Sequence, residues 1–420
     1  MNDNERHIQR ITLRPLKRSD GIIAFTALVM LSVMVVVALA ASEEMTLESK
    51  AAQNRNSIRQ AYQAAYSGID YCLYLSTLYA DWRTRYGGGN WIANYTVGTG
   101  KVTVSAADPT DGSIAGNPIH TVAFTAASSS GLAKRSLTAR GTPPPGQTLR
   151  YVLCSLTNAD MELRQGVSVY GDVRTRGNIN ADSNVSLAGN IYTATGAAVT
   201  ASLVDADTQV IRTDRALATP PVSLSWFQSA AKELSLPSSF GHYLIDKALL
   251  TPTNNPFGLT QPDGLYYFDA HGFEVWIGDS YINATLIIAN SSRVLIRHGC
   301  YLKTFSSQYP ALLSTGDIAF EIERNLKESI ADVDFNGNGN KTDTFVSQIC
   351  GVIYSATKVT GFQKNSDPGP FYVRGAVVSN EIRITTGASF YVYYDPGLAE
   401  TAVAGFQGPG LVLSAGSLRE

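Results

Sequence analysis

Residues 332–343 carry oxygen-bearing side chains at the alternating spacing that a calcium ion requires. The segment reads DVDFNGNGNKTD, and its candidate ligands are Asp332, Asp334, Asn336, Asn338 (through its backbone carbonyl), Asn340 and Asp343. Ca²⁺ takes about six to eight hard oxygen ligands around a tight turn. Gly337 suits such a turn because it lacks a side chain. The spacing therefore predicts a structural calcium site.

The segment departs from an EF-hand loop at two positions. Asp343 stands where an EF-hand has Glu, and Gly339 stands where an EF-hand has an apolar residue. These departures favour a solvent-exposed extracellular loop of modest affinity and argue against a two-helix calcium sensor. A polar turn without a metal is the alternative interpretation, because Asn and Gly are common in turns.

Motifs for catalysis are sparse. The 5 histidines show no HExxH or paired spacing, and no GxSxG elbow or phosphate-binding loop occurs. Asp160, Asp172 and Asp182 recur at short intervals, so stacked repeats of a β-helix could bring their carboxylates together as in carbohydrate-active enzymes. Polar corner residues are the simpler interpretation. We therefore predict that the protein is not an enzyme and keep a carbohydrate-active β-helix enzyme as an alternative.

The cysteines are widely spaced and form no CxxC or metal-binding pattern. They are Cys72, Cys154, Cys300 and Cys350. An oxidising compartment permits disulfides, and Cys300 with Cys350 is the pair to test because both lie in strand-like runs. Buried free thiols are an equal alternative.

Aromatic residues are frequent in the C-terminal half, where exposed rings could stack on sugars or dock a partner. Packing in the core explains most of them without a ligand. The residues concerned are Tyr266, Tyr267, Phe268, Trp276, Tyr281 and the run 390–394.

One uninterrupted apolar run, residues 22–41, dominates the N-terminal region. It contains no charged residue, Gly or Pro, and as a helix it would be about 30 Å long, which matches the hydrocarbon core of a bilayer. A signal sequence cleaved near Ser42 is the weaker interpretation, because its apolar region would be shorter. Basic residues precede the run and Glu43, Glu44 and Glu48 follow it, which predicts a cytoplasmic N-terminus.

Beyond the run, residues 43–79 continue as an amphipathic pattern. Leu47, Ile58, Ile69 and Leu73 belong to an apolar stripe at helical spacing. No Pro interrupts the segment, so a membrane helix and a soluble helix are predicted to form one rod that ends before Gly87. Alternating strands up to residue 142 then predict a small antiparallel sheet.

This arrangement resembles the N-terminal spine of type IV minor pilins, including PilX-like proteins, and of K-type pseudopilins of type II secretion. The segment from Ala64 to Tyr71 is similar to a conserved block of that group, and a basic patch with Gly21 precedes the apolar run as in a prepilin leader. The resemblance implies that a prepilin peptidase cleaves after Gly21 and leaves Ile22 as the mature N-terminus. Thr26 stands where major pilins carry Glu, which implies a minor subunit or an unprocessed chain.

Residues 150–420 contain many short strand patterns separated by Gly, Asn or Asp, spaced about five to eight residues apart. This spacing favours a parallel β-solenoid, in which each rung packs on its neighbours. The fold class is therefore predicted as α+β, mainly β. The predicted divisions are a leader (1–21), the spine helix (22–86), a small sheet (87–142), a Pro-rich linker (143–149) and a solenoid head (150–420) with an insertion at 205–262.

Composition agrees with a structural surface protein. A chain of 420 residues has room for two or three units. The net charge is −2 and charged residues make up 16%, so we predict no nucleic-acid partner.

The leading prediction is a minor pilin or pseudopilin subunit at the tip or initiating position of a filament. Its partners would be other pilin subunits, the prepilin peptidase and the inner membrane. Its head would lie in the periplasm or at the cell surface and bind a polysaccharide or protein ligand. A membrane-anchored adhesin outside any filament is the alternative.

Overall fold

The computed structural model describes residues 18–164, 166–203, 207–217, 219–220, 222, 224–361, 370–385 and 389–420. Most of the predicted leader, residues 1–17, lies outside the described residues. The rest is mainly β, with a long apolar N-terminal helix, an antiparallel sheet and a large parallel sheet domain, as the sequence predicted.

A single helix, α1 (Arg18–Leu78), forms the spine. Every residue from 21 to 56 is exposed, and the segment is the one stretch of the described chain that is long and apolar enough to span a membrane, with a mean hydropathy of 2.9 in its most apolar window. A short helix, α2 (Trp82–Arg85), follows. The spine helix therefore ends at Leu78 and not at the predicted residue 86, and a turn at 80–81 separates it from α2.

The second half of α1 packs on an antiparallel sheet. Its first strands are β1 (Asn90–Val97), β2 (Gly100–Ala107), β3 (Val122–Ser130) and β4 (Ala133–Thr142). Ala65, Ile69 and Cys72 of the helix are buried against Val104 and Phe124 of the sheet. Gly68 permits this contact, because a Cβ atom there would lie 2.8 Å from Cγ2 of Val102.

The head begins after a 3-10 turn at Gln147–Arg150 and starts with short strands. These are β5 (Leu153–Ser155), β6 (Met161–Leu163), β7 (Val167–Tyr170), β8 (Val173–Arg174), β9 (Ile179–Ala181), β10 (Ser186–Ala188), β11 (Ile191–Thr193) and β12 (Val210–Arg212). A crossover with helix α3 (Leu224–Ala230) follows.

The second part of the head contains longer strands. They are β13 (Lys232–Glu233), β14 (Ser238–Ser239), β15 (His242–Asp246), β16 (Leu249–Leu250), β17 (Leu265–Asp269), β18 (Glu274–Asn283), β19 (Thr285–Ala289), β20 (Arg293–Lys303), β21 (Leu312–Ser314), β22 (Asp317–Ile322), β23 (Leu326–Lys327), helix α4 (Glu328–Ala331), β24 (Thr344–Phe345), β25 (Gln348–Gly361), β26 (Phe371–Ile384) and β27 (Phe390–Tyr393).

Apart from β14, which pairs antiparallel with β15, and the antiparallel hairpin of β23 and β24, these strands form a three-sided parallel solenoid. Its two chain segments stack out of sequence order. Val377 of β26 pairs with Leu153 of β5, and Val392 of β27 pairs with Val169 of β7. In space, the rungs of residues 153–212 therefore continue the stack that residues 232–393 form, although residues 153–212 come earlier in the sequence. Apolar side chains at equivalent positions of successive rungs fill the interior of the solenoid, where they are buried. This stacking gives each rung two apolar neighbours.

The crossover between the two segments returns along the outside of the sheet that contains β5, β19 and β21. Phe227 of α3 is fully buried there, against Ile287, Leu313 and Val352. The sequence analysis assigned residues 205–262 to an insertion, and the structure corrects its extent. Residues 232–250 form the first rung of the solenoid. The sequence pattern did not reveal this rung, because its strands are short and a hairpin turn interrupts them.

The chain ends in the small sheet rather than in the head. Strand β28 (Val412–Leu413) pairs with β4, and Leu411 is buried in the apolar core between α1 and the small sheet. The solenoid is thus inserted between β4 and β28, which corrects the predicted head of 150–420. Because β4 would otherwise present an open edge, the tail satisfies backbone groups that the predicted sheet left unpaired.

Candidate functional site

The apolar half of α1 is the first candidate site, because it is large, exposed and unpaired with the rest of the described chain. Ile22, Phe25 and Leu28 are each 67% exposed. Gly21 lies inside the helix, and a Cβ added there would meet no atom within 4 Å. The predicted cleavage position is therefore sterically open on a helical backbone.

Thr26 is satisfied inside its own helix. Its hydroxyl donates a hydrogen bond of 2.6 Å to the backbone carbonyl of Ile22. The side chain is neutral, so it offers no charge to an amino group of a neighbouring chain.

The predicted calcium loop projects from the solenoid between β23 and β24. Glu328, which is fully buried, accepts hydrogen bonds from the backbone N–H groups of Phe335 and Asp343 at 2.7 and 3.0 Å. Phe335 packs under the loop, 5.9 Å from the ring of Tyr281. The sequence analysis missed Glu328. Its position one residue after a strand and four residues before the motif is the signal that could have found it.

Within the loop the structure brings three of the predicted ligands together. The side-chain amides of Asn336 and Asn338 both donate to Oδ2 of Asp343, at 2.8 and 2.6 Å. Asp334 accepts from the N–H groups of Gly337 and Gly339 at 2.7 and 2.8 Å. These bonds, with that from Gly339 the largest, lower the pKa of the Asp334 carboxyl. Hydrogen bonds inside the loop therefore fix its backbone, and the amides of Asn336 and Asn338 meet at the Asp343 carboxylate.

The two remaining predicted ligands have other partners. Oδ1 of Asp332 accepts from Nζ of Lys341 at 2.9 Å, a bond that lowers the pKa of this carboxyl. Asn340 accepts from the N–H of Thr342 at 3.0 Å. Carboxylate and amide oxygens are ligands that Ca²⁺ prefers. In this structure the amides of Asn336 and Asn338 direct N–H groups to Asp343, and their oxygens accept from the backbone N–H groups of Asn338 and Asn340.

The three carboxylates considered for catalysis do not converge. Asp160 and Asp172 each accept, at 2.8 Å, from the backbone N–H of the residue 18 positions later. Asp182 forms an ion pair of 3.0 Å with Arg164. Because one rung takes 18 residues here, their shorter spacing puts Asp160 before β6, Asp172 before β8 and Asp182 after β9, at three different corners. The convergence hypothesis is therefore wrong, and these residues join successive rungs.

The cysteines are free thiols, which corrects the predicted Cys300–Cys350 disulfide. Cys300 is fully buried in the solenoid interior, and its N–H bonds to Oγ of Ser347. Cys350 instead pairs with Lys303 on the adjacent strand. The register separates the two cysteines by about 10 Å along the strands, whereas a disulfide needs Cα atoms about 4.4–6.8 Å apart. Burial raises the pKa of the Cys300 thiol to about 12.

Most of the aromatic residues singled out in the sequence serve the core. Tyr266, Tyr267, Phe268 and Phe390 are buried. The Trp276 ring lies between His242, whose ring centroid is 3.5 Å away, and the guanidinium of Arg297 at 4.7 Å. These rings therefore present no free face to a sugar.

A cluster that the sequence analysis did not single out lies in the loop between β2 and β3. Atoms of Asp108, Asp111 and His120 lie within 4.8 Å of one another. Nδ1 of His120 is 2.9 Å from Oδ2 of Asp108, and the half-buried Arg83 donates to the backbone carbonyl of His120 at 2.8 Å. Burial lowers the pKa of Arg83 to about 10, against the effect of the two carboxylates.

This loop connects the small sheet to the head. Ile119 is buried with apolar residues of the solenoid's outer surface, and Asn117 donates to the hydroxyl of Tyr309 at 3.2 Å. The charged cluster therefore fixes a loop that joins the two parts of the molecule.

The chain was compared with protein families, curated proteins and solved structures. No protein-family model matches the chain, and no curated protein is similar to it in sequence. The competence-associated pilin ComZ from Thermus thermophilus is similar in structure, with 12% sequence identity, a TM-score of 0.37, and coverage of 87% of this chain and 97% of that chain. A similarity of this size supports no conclusion about function.

Proposed function

We propose that this protein is a pilin-like filament subunit, anchored in the inner membrane by α1 and exposing the solenoid head for adhesion or partner binding. The observation that carries this proposal is the apolar run of α1 at residues 22–41. It is exposed along its whole length and continues without a break into the part of α1 that packs on the small sheet. An exposed apolar surface of this size requires a lipid or protein partner. Lipid covers it before assembly, and other pilin helices cover it in a filament.

The neutral Thr26 supports a position at the tip or initiating end of the filament. A charged residue at this place would pair with the amino terminus of an adjacent subunit, as the resemblance to major pilins implies. Thr26 uses its hydroxyl on its own helix, so a subunit placed against it would gain no ion pair. A subunit at the end of the filament has one neighbour fewer than an internal subunit, so it needs one ion pair of this kind fewer.

Prepilin peptidase is the proposed processing partner, with cleavage between Gly21 and Ile22. Mass spectrometry of the N-terminus, on membrane and sheared-surface fractions, tests this step. We expect a start at Ile22 in the native protein and an intact leader in Gly21→Leu, because the bulky side chain would obstruct the peptidase. Gly88→Leu is the control, since a Cβ at Gly88 also meets no atom within 4 Å.

The same experiment separates the alternatives. A start at Met1 or Asn2 in native protein would favour the membrane-anchored adhesin outside a filament. A start near Ser42 would mean that the apolar run is a signal sequence. The carbohydrate-active enzyme receives no support from Asp160, Asp172 and Asp182, because they lie at different corners.

We also propose that the loop at 332–343 binds Ca²⁺ as a structural ion. In the calcium-bound loop, Asp334, Asn336, Asn338 and Asp343 would supply oxygen atoms to the ion. The ion would replace the amide-to-carboxylate bonds on Asp343 and stiffen the hairpin of β23 and β24.

Calcium titration calorimetry and thermal unfolding test this site. We expect Ca²⁺ at 100 times its dissociation constant to raise the free energy of unfolding by about 2.7 kcal/mol for the part of the protein that unfolds together with the loop. Asp343→Ala should abolish binding, whereas Asp332→Ala should weaken it only slightly, because Asp332 is paired with Lys341. Loss of binding in Asp332→Ala would assign Asp332 to the ligand set, and no binding by the native protein at millimolar Ca²⁺ would refute the site.

A further inference from the structure

A groove of about 460 Å³ opens on the side of the solenoid, between the loop 304–311 and the segment after β27. Its floor is the corner of the rung at Cys350 and Gly351. Gly351 has a φ of +123°, and a Cβ there would meet Ala311 and Thr304 at 3.1 Å. The shape of the groove thus depends on the absence of a side chain at Gly351. Its volume falls in the range of small-ligand sites, about 300–1,000 Å³.

Two cationic side chains lie on either side of the groove floor. Lys303, Cys350 and Arg374 occupy the same position on three consecutive parallel strands. Adjacent strands are about 4.8 Å apart, so the two cations flank the cysteine from neighbouring rungs. The pKa of the Cys350 thiol is raised by burial, while Arg374 and Lys303 act in the opposite direction. Both cations therefore line the groove on the strands on either side of Cys350.

The charges on these two cations are largely uncompensated. The side-chain ammonium of Lys303 has no hydrogen-bond or ion-pair partner among the described residues. The guanidinium of Arg374 makes one hydrogen bond to them, from its Nε to the side-chain oxygen of Gln348 at 3.3 Å. The one carboxylate among the described lining residues belongs to Asp395, and it offsets one of the two positive charges. The groove therefore has an excess of positive charge.

Arg374 is oriented by its neighbours. Its guanidinium carbon lies 5.6 Å from the ring centre of Tyr372 and 5.3 Å from that of Tyr393. Tyr393 in turn stacks on Tyr170 with ring centres 4.5 Å apart. An arginine held in this way loses little conformational entropy when its two terminal nitrogens bind a carboxylate.

The groove also offers an apolar wall. Phe305 lines it and is 51% exposed. In contrast to Trp276 and Tyr393, its ring stacks on no other aromatic ring of the described chain. A ring face of this kind can pack against the C–H groups of a sugar, burying apolar area on both partners.

From these observations we propose that the groove binds a carboxylated sugar residue of an acidic polysaccharide, with the carboxylate between Lys303 and Arg374 and the sugar ring against Phe305. Two cations match one carboxylate, whereas a nucleic acid would need a longer series of basic residues along its phosphates. This inference rests on the binding role proposed for the head, but it does not require assembly into a filament.

Titration calorimetry with the full-length protein in detergent tests the proposal. The probes are a tetrasaccharide with a terminal glucuronate and the same tetrasaccharide with a terminal glucose. We expect the acidic probe to bind at least tenfold more tightly, and high salt to reduce the difference. Arg374→Gln and Lys303→Gln should each weaken the acidic probe about tenfold and leave the neutral probe unchanged. Lys134→Gln, at an exposed lysine of the small sheet, is the matched control.

Cys350 gives a second readout that locates the bound probe. It is the half-buried cysteine, whereas Cys72, Cys154 and Cys300 are buried. We expect the acidic probe to slow the reaction of Cys350 with a small alkylating reagent. Arg374→Gln should lose this protection while keeping its folded far-ultraviolet spectrum.

Several outcomes would overturn the proposal. They are equal binding of the acidic and neutral probes, absence of binding to both, or binding of the acidic probe that leaves Cys350 unprotected. Tighter binding of a short single-stranded oligonucleotide with protection of Cys350 would assign the groove to nucleic acid instead. None of these results depends on the N-terminus at Ile22, so failure here and failure of the filament proposal are distinguishable.

Discussion

Single polar residues in the solenoid stabilise its backbone from rung to rung. Asp160 and Asp172 bond to the backbone one rung later, and Asn178 does the same with the N–H of Ala198 at 2.7 Å. The sequence showed these residues at plausible corner positions. It could not give the length of a rung, and this length decides whether carboxylates stack or separate.

Substitution of a corner aspartate tests this role. Asp160→Ala removes the acceptor for both the backbone N–H and the side-chain amide of Asn178, at 2.8 and 3.2 Å. We expect a loss of about 1–2 kcal/mol in the free energy of unfolding of the solenoid, because the partly buried N–H loses its partner. Urea unfolding of the full chain measures the change.

Asp263→Ala is the matched control, because Asp263 is exposed and outside the corner series. A surface substitution of this kind usually changes stability by less than about 0.5 kcal/mol. An equal effect of both substitutions would contradict a specific rung-to-rung role for Asp160.

At the scale of elements, α1 and the small sheet depend on a close approach at Gly68. Alanine is intrinsically better than glycine in a helix by about 0.5–1 kcal/mol. Here its Cβ would lie 2.8 Å from Cγ2 of Val102, 3.0 Å from Cγ2 of Val104 and 3.2 Å from Cγ1 of Val102. Overpacking costs about 1–3 kcal/mol, so the steric term outweighs the helix propensity.

We therefore expect Gly68→Ala to destabilise the small sheet unit by about 1–2 kcal/mol. Thermal unfolding followed by circular dichroism measures this change. The double variant Gly68→Ala with Val102→Ala serves as the control: it should lose less stability than the sum of its two single variants, because the smaller residue accommodates the new methyl group. Strict additivity would rule out the contact as the cause.

Elements were largely predictable and their order in space was not. Period-two alternation indicated the strands at 101–105 and 133–140, and the helical stripe indicated α1, because these are local patterns. The pairing of Val377 with Leu153 joins residues more than 200 positions apart. No local pattern encodes such a pairing, and the same is true of β28 on β4. The groove at Cys350 was missed for this reason, since its cations come from separate strands.

At the scale of the molecule, the solenoid is inserted into a small antiparallel sheet, which strand β28 completes by pairing with β4. Leu411 donates a buried hydrogen bond of 2.9 Å from its N–H to Oγ of Ser76. Gly410 lies so close to α1 that a Cβ there would be 2.4 Å from Oγ1 of Thr77. The end of the chain thus locks the helix onto the sheet.

Deletion of residues 409–420 tests this closure. We expect the small sheet unit to unfold at a lower temperature, because the edge of β4 opens and Leu411 leaves the core. The solenoid should keep its own transition, since its interior core uses no residue beyond Tyr394. Differential scanning calorimetry of the full chain in detergent measures both.

Deletion of Glu420 alone is the control for this truncation. It removes only the exposed ion pair with Arg135, 3.0 Å apart, and surface ion pairs contribute little. Equal lowering of both transitions by the longer deletion would contradict the division of the molecule into a closed sheet and an inserted head.

The most direct test of the filament proposal is photo-crosslinking from the apolar half of α1. Leu39 is 61% exposed and lies in the apolar run, whereas Leu259, 68% exposed, lies in the head. With a photo-activatable residue at each position in turn, sheared surface filaments should yield an adduct between position 39 and another pilin subunit, and none from position 259. Adducts of position 39 with lipid alone, and absence of the protein from the sheared fraction, would contradict assembly into a filament.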